Sequence, residues 1–201
     1  GEALHAAAHL AGEAQRALEG RMRPYDLVPS HTYWDAYLPA GPATILTPMN
    51  FIWGIPVIQL VAAYLAGVPI IFKGHPFAAI TNEHIVRCLI AAGADPMSIQ
   101  MVQGFGKNIE KLATDPKIKV VHITGSNETA DLIRQKRAGG HTGGVVYNEG
   151  GGCNWAWIGE GFSEEELAKI GERLVGAGLG LSSHKCTTLH GIAAPATILP
   201  R

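Results

Sequence analysis

The chain has 201 residues, 47% of them hydrophobic and 16% charged, with a formal net charge of −1 at pH 7. That length fills one domain with a full core, and the balance is that of a globular chain, not a disordered one. Even charge argues against nucleic acid or an anionic membrane as the main partner.

Three cysteines, Cys88, Cys153 and Cys186, are odd in number and widely spaced, which does not make a disulfide framework. A reducing compartment is the expectation, and with it a cytoplasmic location. No stretch reaches the ~18 apolar residues of a membrane span. The stretch 51–72 comes near, but Gly54, Pro56, Gly67 and Pro69 break it into helix, turn and buried strand. No secretory leader is visible. A start at Gly1 is what a processed, tagged or excised chain would show.

Residues 2–19 are rich in Ala, Leu and Glu and predict a helix, stopped by Gly20 and Pro24. A looser aromatic stretch follows over 25–37. A regular alternation then begins. Strands are predicted at 43–48, 68–72, 99–102 and 120–123, and helices between them at 55–65, 82–92, 108–113 and 128–136. Further strands are predicted at 145–147 and 155–158. Ser163 caps a helix over 163–175, with Glu166 completing a capping box. A last strand is expected over 190–199. No internal repeat appears.

Short apolar strands alternating with helices predict a doubly wound α/β fold with a mostly parallel sheet covered on both faces. Ligands of such sheets bind beyond the carboxyl ends of the strands. Asn50 follows the first strand, Lys73 the second, Gly104 and Gly106 the third, Gly125 and Ser126 the fourth, and Glu149 the fifth. The expectation is that they converge on one site.

Cys186 lies in Ser182-Ser183-His184-Lys185-Cys186-Thr187. A thiolate can attack an aldehyde carbonyl, and basic and polar neighbours favour the thiolate. A lone cysteine is otherwise a small buried hydrophobe. Cys88, in an apolar helical stretch, is expected in the core, and Cys153 follows a glycine run. Glu149 opens Glu149-Gly150-Gly151-Gly152. It is either a base that activates water or a solvated turn carboxylate. Asn50, in Pro48-Met49-Asn50-Phe51, either donates its amide to an oxyanion or caps the next helix. Gly104-Phe105-Gly106 has Ile109 at the third-glycine position of a dinucleotide fingerprint and is weak alone. Gly125-Ser126 opening a helix is a plausible anion site by itself. His5 and His9, spaced i,i+4, read as a solvated helix face rather than a metal pair, and no metal site is expected.

The order of an asparagine, a lysine, a Gly-Ser turn, a glutamate and a cysteine resembles the aldehyde dehydrogenase superfamily, from Tyr37 to the last residue. The resemblance implies a Rossmann-like sheet of the aldehyde dehydrogenase type. It implies NAD(P)-dependent oxidation of a small aldehyde through a cysteine thiohemiacetal and thioester. Cys186 is then the nucleophile, Glu149 the deacylating base and Asn50 the oxyanion donor. Thr47, Lys73, His75, Gly106, Gly125, Ser126 and Gly150 are implied at the cofactor.

Several positions depart from the family pattern. Ser183-His184 replaces Gly-Gln before the cysteine, Met49 replaces Trp, and Ala130 stands where glycine is common. Gly150 replaces Leu, which is expected to loosen the backbone there. Pro76 stands where NAD-preferring members often place Glu, so NADP is expected to bind at least as well as NAD. Ala40-Gly41-Pro42-Ala43-Thr44 and Lys185-Cys186-Thr187 resemble the branch found as the aldehyde dehydrogenase domain of the bifunctional phenylacetate-degradation enzyme.

The resemblance divides the chain into an N-terminal helix and connection (1–40), a cofactor-binding domain (41–181), and a nucleophile loop with the first strand of a catalytic domain (182–201). The rest of that catalytic domain is expected from a longer enzyme, a second chain or a homo-oligomer. A non-catalytic structural or binding subunit, or a coenzyme A-acylating or acyl-reducing enzyme, fits the same scaffold.

Overall fold

The computed structural model describes residues 2–19, 21–24 and 32–198. The expected stop at Gly20, the part of the aromatic stretch over 25–31 (with His31), and the end of the last expected strand at Leu199 lie outside the described residues. The chain divides into two compact units, 1–150 and 151–201.

In the first unit, α1 (Glu2–Leu18) precedes an antiparallel pair, β1 (Arg21–Pro24) and β2 (Thr32–Asp35), where the sequence suggested only a loose connection. The alternation then builds β3 (Ala43–Leu46), α2 (Gly54–Leu65), β4 (Ile70–Lys73), α3 (Ala79–Ala91), β5 (Ile99–Met101), α4 (Gly106–Ala113), β6 (Val120–Gly125), α5 (Asn127–Gly139) and β7 (Val145–Gly150). The five strands from β3 to β7 form one parallel sheet in the order β5-β4-β3-β6-β7. The chain walks outward from β3 on one side, returns, and walks outward on the other. This is the doubly wound order, and the strand order reverses between β3 and β6, which run parallel.

Both faces are packed, as the continuous apolar strands predict. Ile45, Phe72, Ile70 and Ile99 meet Leu60 of α2 and Ile85 and Val86 of α3 on one face. Leu46, Val121 and Ile123 meet Ala113 of α4 and Ala130 and Ile133 of α5 on the other. β3 is buried at every position.

Cys88 corrects the sequence reading. The buried face of α3 carries Asn82, Ile85 and Val86, and Cys88 is turned away from it and exposed.

Arg137 closes the end of the sheet opposite the strands' carboxyl ends. Its buried guanidinium donates to the Ala113 carbonyl at 2.6 Å, to Ile118 at 2.9 Å, and to Thr142 and Gly143. Four orphan carbonyls from a helix end, a strand entry and a turn are thereby satisfied at once. Gly144 is required beside it. Its φ is +84°, and an added Cβ would lie 2.4 Å from the Lys119 carbonyl oxygen.

The second unit is a parallel βαβ piece. β8 (Asn154–Trp157) leads through α6 (Glu164–Leu179) to β9 (Leu189–Ala193). Ser163 and Glu166 form the expected capping box at the start of α6. β8 pairs with β9, with an irregularity between Asn154 and Trp155.

Candidate active site

In the first unit the implicated residues collect at the carboxyl edge of the sheet. Thr47 and Asn50 follow β3. Lys73 ends β4, and His75 follows it. Gly106 opens α4 after β5. Gly125 ends β6, Ser126 caps α5, and Glu149 and Gly150 end β7. Parallel strands place all their carboxyl ends on one side, so the convergence follows from topology alone.

The helix-cap reading of Asn50 does not hold. The N-cap of α2 is Trp53, without a side-chain cap, and Asn50 lies in the turn before it, half-buried. Phe51 packs onto Gly54, where an added Cβ would lie 2.0 Å from the ring.

Thr47 and Lys73 are among the described residues buried at this edge whose polar atoms lack partners. Thr47 is 6% exposed, and its Oγ1 has no hydrogen bond. Lys73 is 7% exposed, and its ammonium has no ion pair or hydrogen bond among the described residues. Burial pushes the Lys73 ammonium below its ordinary pKa. A buried cation without a counter-charge is costly, so this site suits an anionic or multiply hydroxylated ligand. No carboxylate stands at the end of β4. Pro76 opens a short 3-10 turn, and Glu83 of α3 pairs with Arg87 at 2.6 Å on the exposed side.

The turn after β4 is fixed from beneath. Asn82 of α3, 1% exposed, fills the space over Gly74, where a Cβ would lie 1.8 Å from its amide nitrogen. It also donates to the His75 carbonyl at 3.4 Å. His75 accepts the Phe77 amide on Nδ1 at 3.2 Å. That bond selects the tautomer with its proton on Nε2, which stays available as a donor.

At α5, the Ser126 hydroxyl accepts the Thr129 amide at 3.3 Å. Glu128 in the first turn has its carboxyl held below the usual range by its own backbone amide and by Ser126. An arriving phosphate meets a helix N-terminus partly compensated by that carboxylate.

Gly150 is held rather than loosened. It lies in β7 opposite Gly125. A Cβ there would stand 2.2 Å from Asn127 Oδ1 and 2.9 Å from the Gly125 carbonyl oxygen. Asn127 takes that room and accepts from Asn148 Nδ2 at 2.8 Å. The glycine is therefore a packing requirement of this chain.

Glu149 is exposed and lies beside His122 of β6, with Oε1 3.5 Å from Nε2. Buried Gln59 of α2 donates to Thr124 Oγ1 and lies 3.3 Å from His122 Nε2. Gln59, His122, Asn82 and Asn127 were not reached from the sequence. Each acts through a contact with another element, which no spacing within its own element signals.

In the second unit, Cys186 is exposed on a turn that precedes β9. A 3-10 turn (Gly180–Ser183) brings the chain there, with Leu181, Ser182 and Ser183 all at positive φ. The turn is clasped by β8. Asn154 Nδ2 donates to the Cys186 carbonyl at 2.7 Å and to the Thr188 carbonyl at 2.9 Å. Gly152 packs flush on the Cys186 backbone, where a Cβ would lie 2.1 Å from its carbonyl oxygen. Gly152 therefore allows close approach to the cysteine turn, and Asn154 was the missed partner.

An aldehyde dehydrogenase family model matches residues 1–200. The chain belongs to the aldehyde dehydrogenase family. It is 26% identical over 189 residues to alpha-ketoglutaric semialdehyde dehydrogenase of Bacillus subtilis, covering 91% of this chain and 38% of that protein. It is 28% identical over 136 residues to mitochondrial delta-1-pyrroline-5-carboxylate dehydrogenase 12A1 of Arabidopsis thaliana, covering 67% of this chain and 23% of that one. The chain thus spans well under half the length of these relatives.

Among solved structures, the fold matches an NAD-dependent aldehyde dehydrogenase from Sinorhizobium meliloti with a TM-score of 0.85 at 23% identity, over 98% of this chain and 38% of that chain. It matches succinate-semialdehyde dehydrogenase from Burkholderia pseudomallei with a TM-score of 0.83 at 20% identity, over 96% and 39%. These likenesses show the fold.

The unpartnered Lys73 ammonium carries a stability prediction. Burial lowers its folded-state pKa below the unfolded value. The unfolded chain therefore binds the proton more tightly, and charged Lys73 opposes folding below that folded pKa. Lys73→Met should raise Tm at neutral pH by about 2–4 °C, the shift that ~1 kcal/mol gives at this size. An unchanged or lower Tm by calorimetry would contradict an unpaired buried ammonium.

Proposed function

We propose that this chain supplies the cofactor-binding and nucleophile-bearing part of an enzyme that oxidises an aldehyde to a carboxylic acid. The observation that supports it most is the convergence of Thr47, Lys73, Gly125, Ser126 and Glu149 at one edge of a doubly wound sheet, in a chain of this family.

A nicotinamide dinucleotide fits the edge and, when bound, supplies the hydride acceptor. Lys73 and Thr47 would offer buried polar groups without partners to its ribose, and Ser126 with the start of α5 would hold its phosphates. His75 Nε2 adds a donor near the end of β4.

The Cys186 thiolate attacks the aldehyde carbon and forms a C–S bond, and the negative charge moves to the carbonyl oxygen. Asn50 is the amide donor assigned to that oxygen. Such donors are worth about 2.7–4 kcal/mol in oxyanion holes. The hydride acceptance that such a cofactor would supply would leave the acyl group on Cys186 as a thioester. Glu149 takes a proton from water, the hydroxide adds to the acyl carbon, and Cys186 leaves as thiolate.

The assignment of Glu149 predicts a trapped intermediate. An activated ester such as p-nitrophenyl acetate acylates a reactive thiol without any cofactor. In Glu149→Gln the acetyl adduct on the intact protein should decay about 10²–10⁴-fold more slowly, the range for loss of a general base. Quenched mass spectrometry showing unchanged decay would remove Glu149 from this role.

Cofactor choice follows from the absence of a carboxylate at the end of β4, where acids usually hold the 2′-OH of NAD and repel the 2′-phosphate of NADP. Lys73 and His75 offer attraction instead. NADP should bind at least as tightly as NAD in a calorimetric titration. A tenfold preference for NAD, about 1.4 kcal/mol, would contradict the assignment.

A further inference from the structure

The geometry points to His122 as the positioning residue and proton outlet of Glu149. This rests on the reading of Glu149 as the deacylating base. β6 presents Val121 and Ile123 to the α5 face of the sheet, so alternation sends His122 and Thr124 to the opposite face, toward α2. There Gln59 offers two amide hydrogens. One goes to Thr124 Oγ1 and the other faces His122 Nε2 at 3.3 Å. A donor aimed at Nε2 selects the tautomer with its proton on Nδ1, so Nε2 carries a lone pair. That same Nε2 lies 3.5 Å from Glu149 Oε1.

The Nε2 lone pair is an acceptor for the proton that Glu149 takes up. While Glu149 is ionised, its oxygen faces a lone pair and stays mobile toward solvent, consistent with its 67% side-chain exposure. Once Glu149 has taken a proton from water, its O–H can donate to Nε2, and transfer gives an imidazolium beside a carboxylate. One water O–H bond breaks, its oxygen bonds the acyl carbon, and the C–S bond to Cys186 breaks. The proton passes from Glu149 to His122, whose side chain is 27% exposed and can release it to solvent. Glu149 is thereby returned to its basic form for the next turnover.

The surroundings of His122 carry little competing charge. From β7, Tyr147 approaches edge-on with ring centroids 6.2 Å apart. From β3, its register neighbour is Ile45. α2 contains no Asp, Glu, Lys, Arg or His, and its Tyr64 accepts the Asp95 amide elsewhere. Glu149 is the ionisable group within ion-pair distance of His122 among the described residues.

The test has two arms. Nitrogen-15 NMR of the imidazole in the full chain should show the Nδ1–H tautomer. Its ring signals should move in Glu149→Gln, and the Nε2–H tautomer should appear in Gln59→Leu. Insensitivity of the His122 ring to Glu149→Gln overturns the inference. The second arm follows decay of the acetyl adduct formed with p-nitrophenyl acetate. Proton transfer contributes about 10²–10⁴-fold, so removing the base's partner in His122→Phe should slow decay about tenfold or more. His122→Gln, which keeps a polar atom near Nε2 but takes no proton, should recover part of that loss. Slow decay in Glu149→Gln with wild-type decay in His122→Phe overturns the inference alone. Wild-type decay in both overturns the reading of Glu149 and the inference with it.

Discussion

The constraint on which the first unit depends is the burial of β3 from both faces. Ala43, Thr44, Ile45 and Leu46 are each nearly inaccessible, and β3 is paired on both edges, to β4 and to β6. A strand so placed must be short and mostly apolar, and its crossovers must run to opposite sides. The reversal of strand order between β3 and β6 sends the crossovers to opposite faces, and sheets of this order bind ligands at the carboxyl ends beside that point. Polar groups that would be intolerable in the core are set there: Thr47 one residue beyond β3, and Lys73 at the end of β4. Their burial without partners is the observation that supports the proposal of ligand binding at this edge.

The alternation of elements in the first unit was legible because apolar runs of four to six residues bounded by Gly and Pro have few other solutions. The carboxyl-edge residues were legible for the same reason, since position after a strand fixes the side of the sheet. The capping box at Ser163 and Glu166 was written in the sequence and lies in the structure. β1 and β2 were missed because four-residue strands with Arg, Pro and Asp carry no alternation. Cys88 was misplaced because α3 is apolar around much of its circumference, and composition alone does not choose the buried face.

What the sequence hid were polar residues acting through geometry. Asn82 under Gly74, Asn127 over Gly150, and Asn154 on the Cys186 turn are each a side chain filling the room left by a glycine or reaching backbone carbonyls. Glycine in these places reads from sequence as looseness. In the structure it is close approach, and the adjacent amide supplies the fixing bonds. The departure from the family pattern at Gly150 is therefore compensated locally.

Cys186, one of three exposed cysteines among the described residues, is the proposed nucleophile. The clasp by Asn154 and Gly152 gives its turn a defined backbone, and Lys185 and His184 stand beside it. The most direct measurement is peptide mapping after a brief reaction of the folded chain with substoichiometric p-nitrophenyl acetate at neutral pH. Acetyl is expected on Cys186 well ahead of Cys88 and Cys153. Equal labelling of the three, or preferential labelling of Cys153, would contradict it.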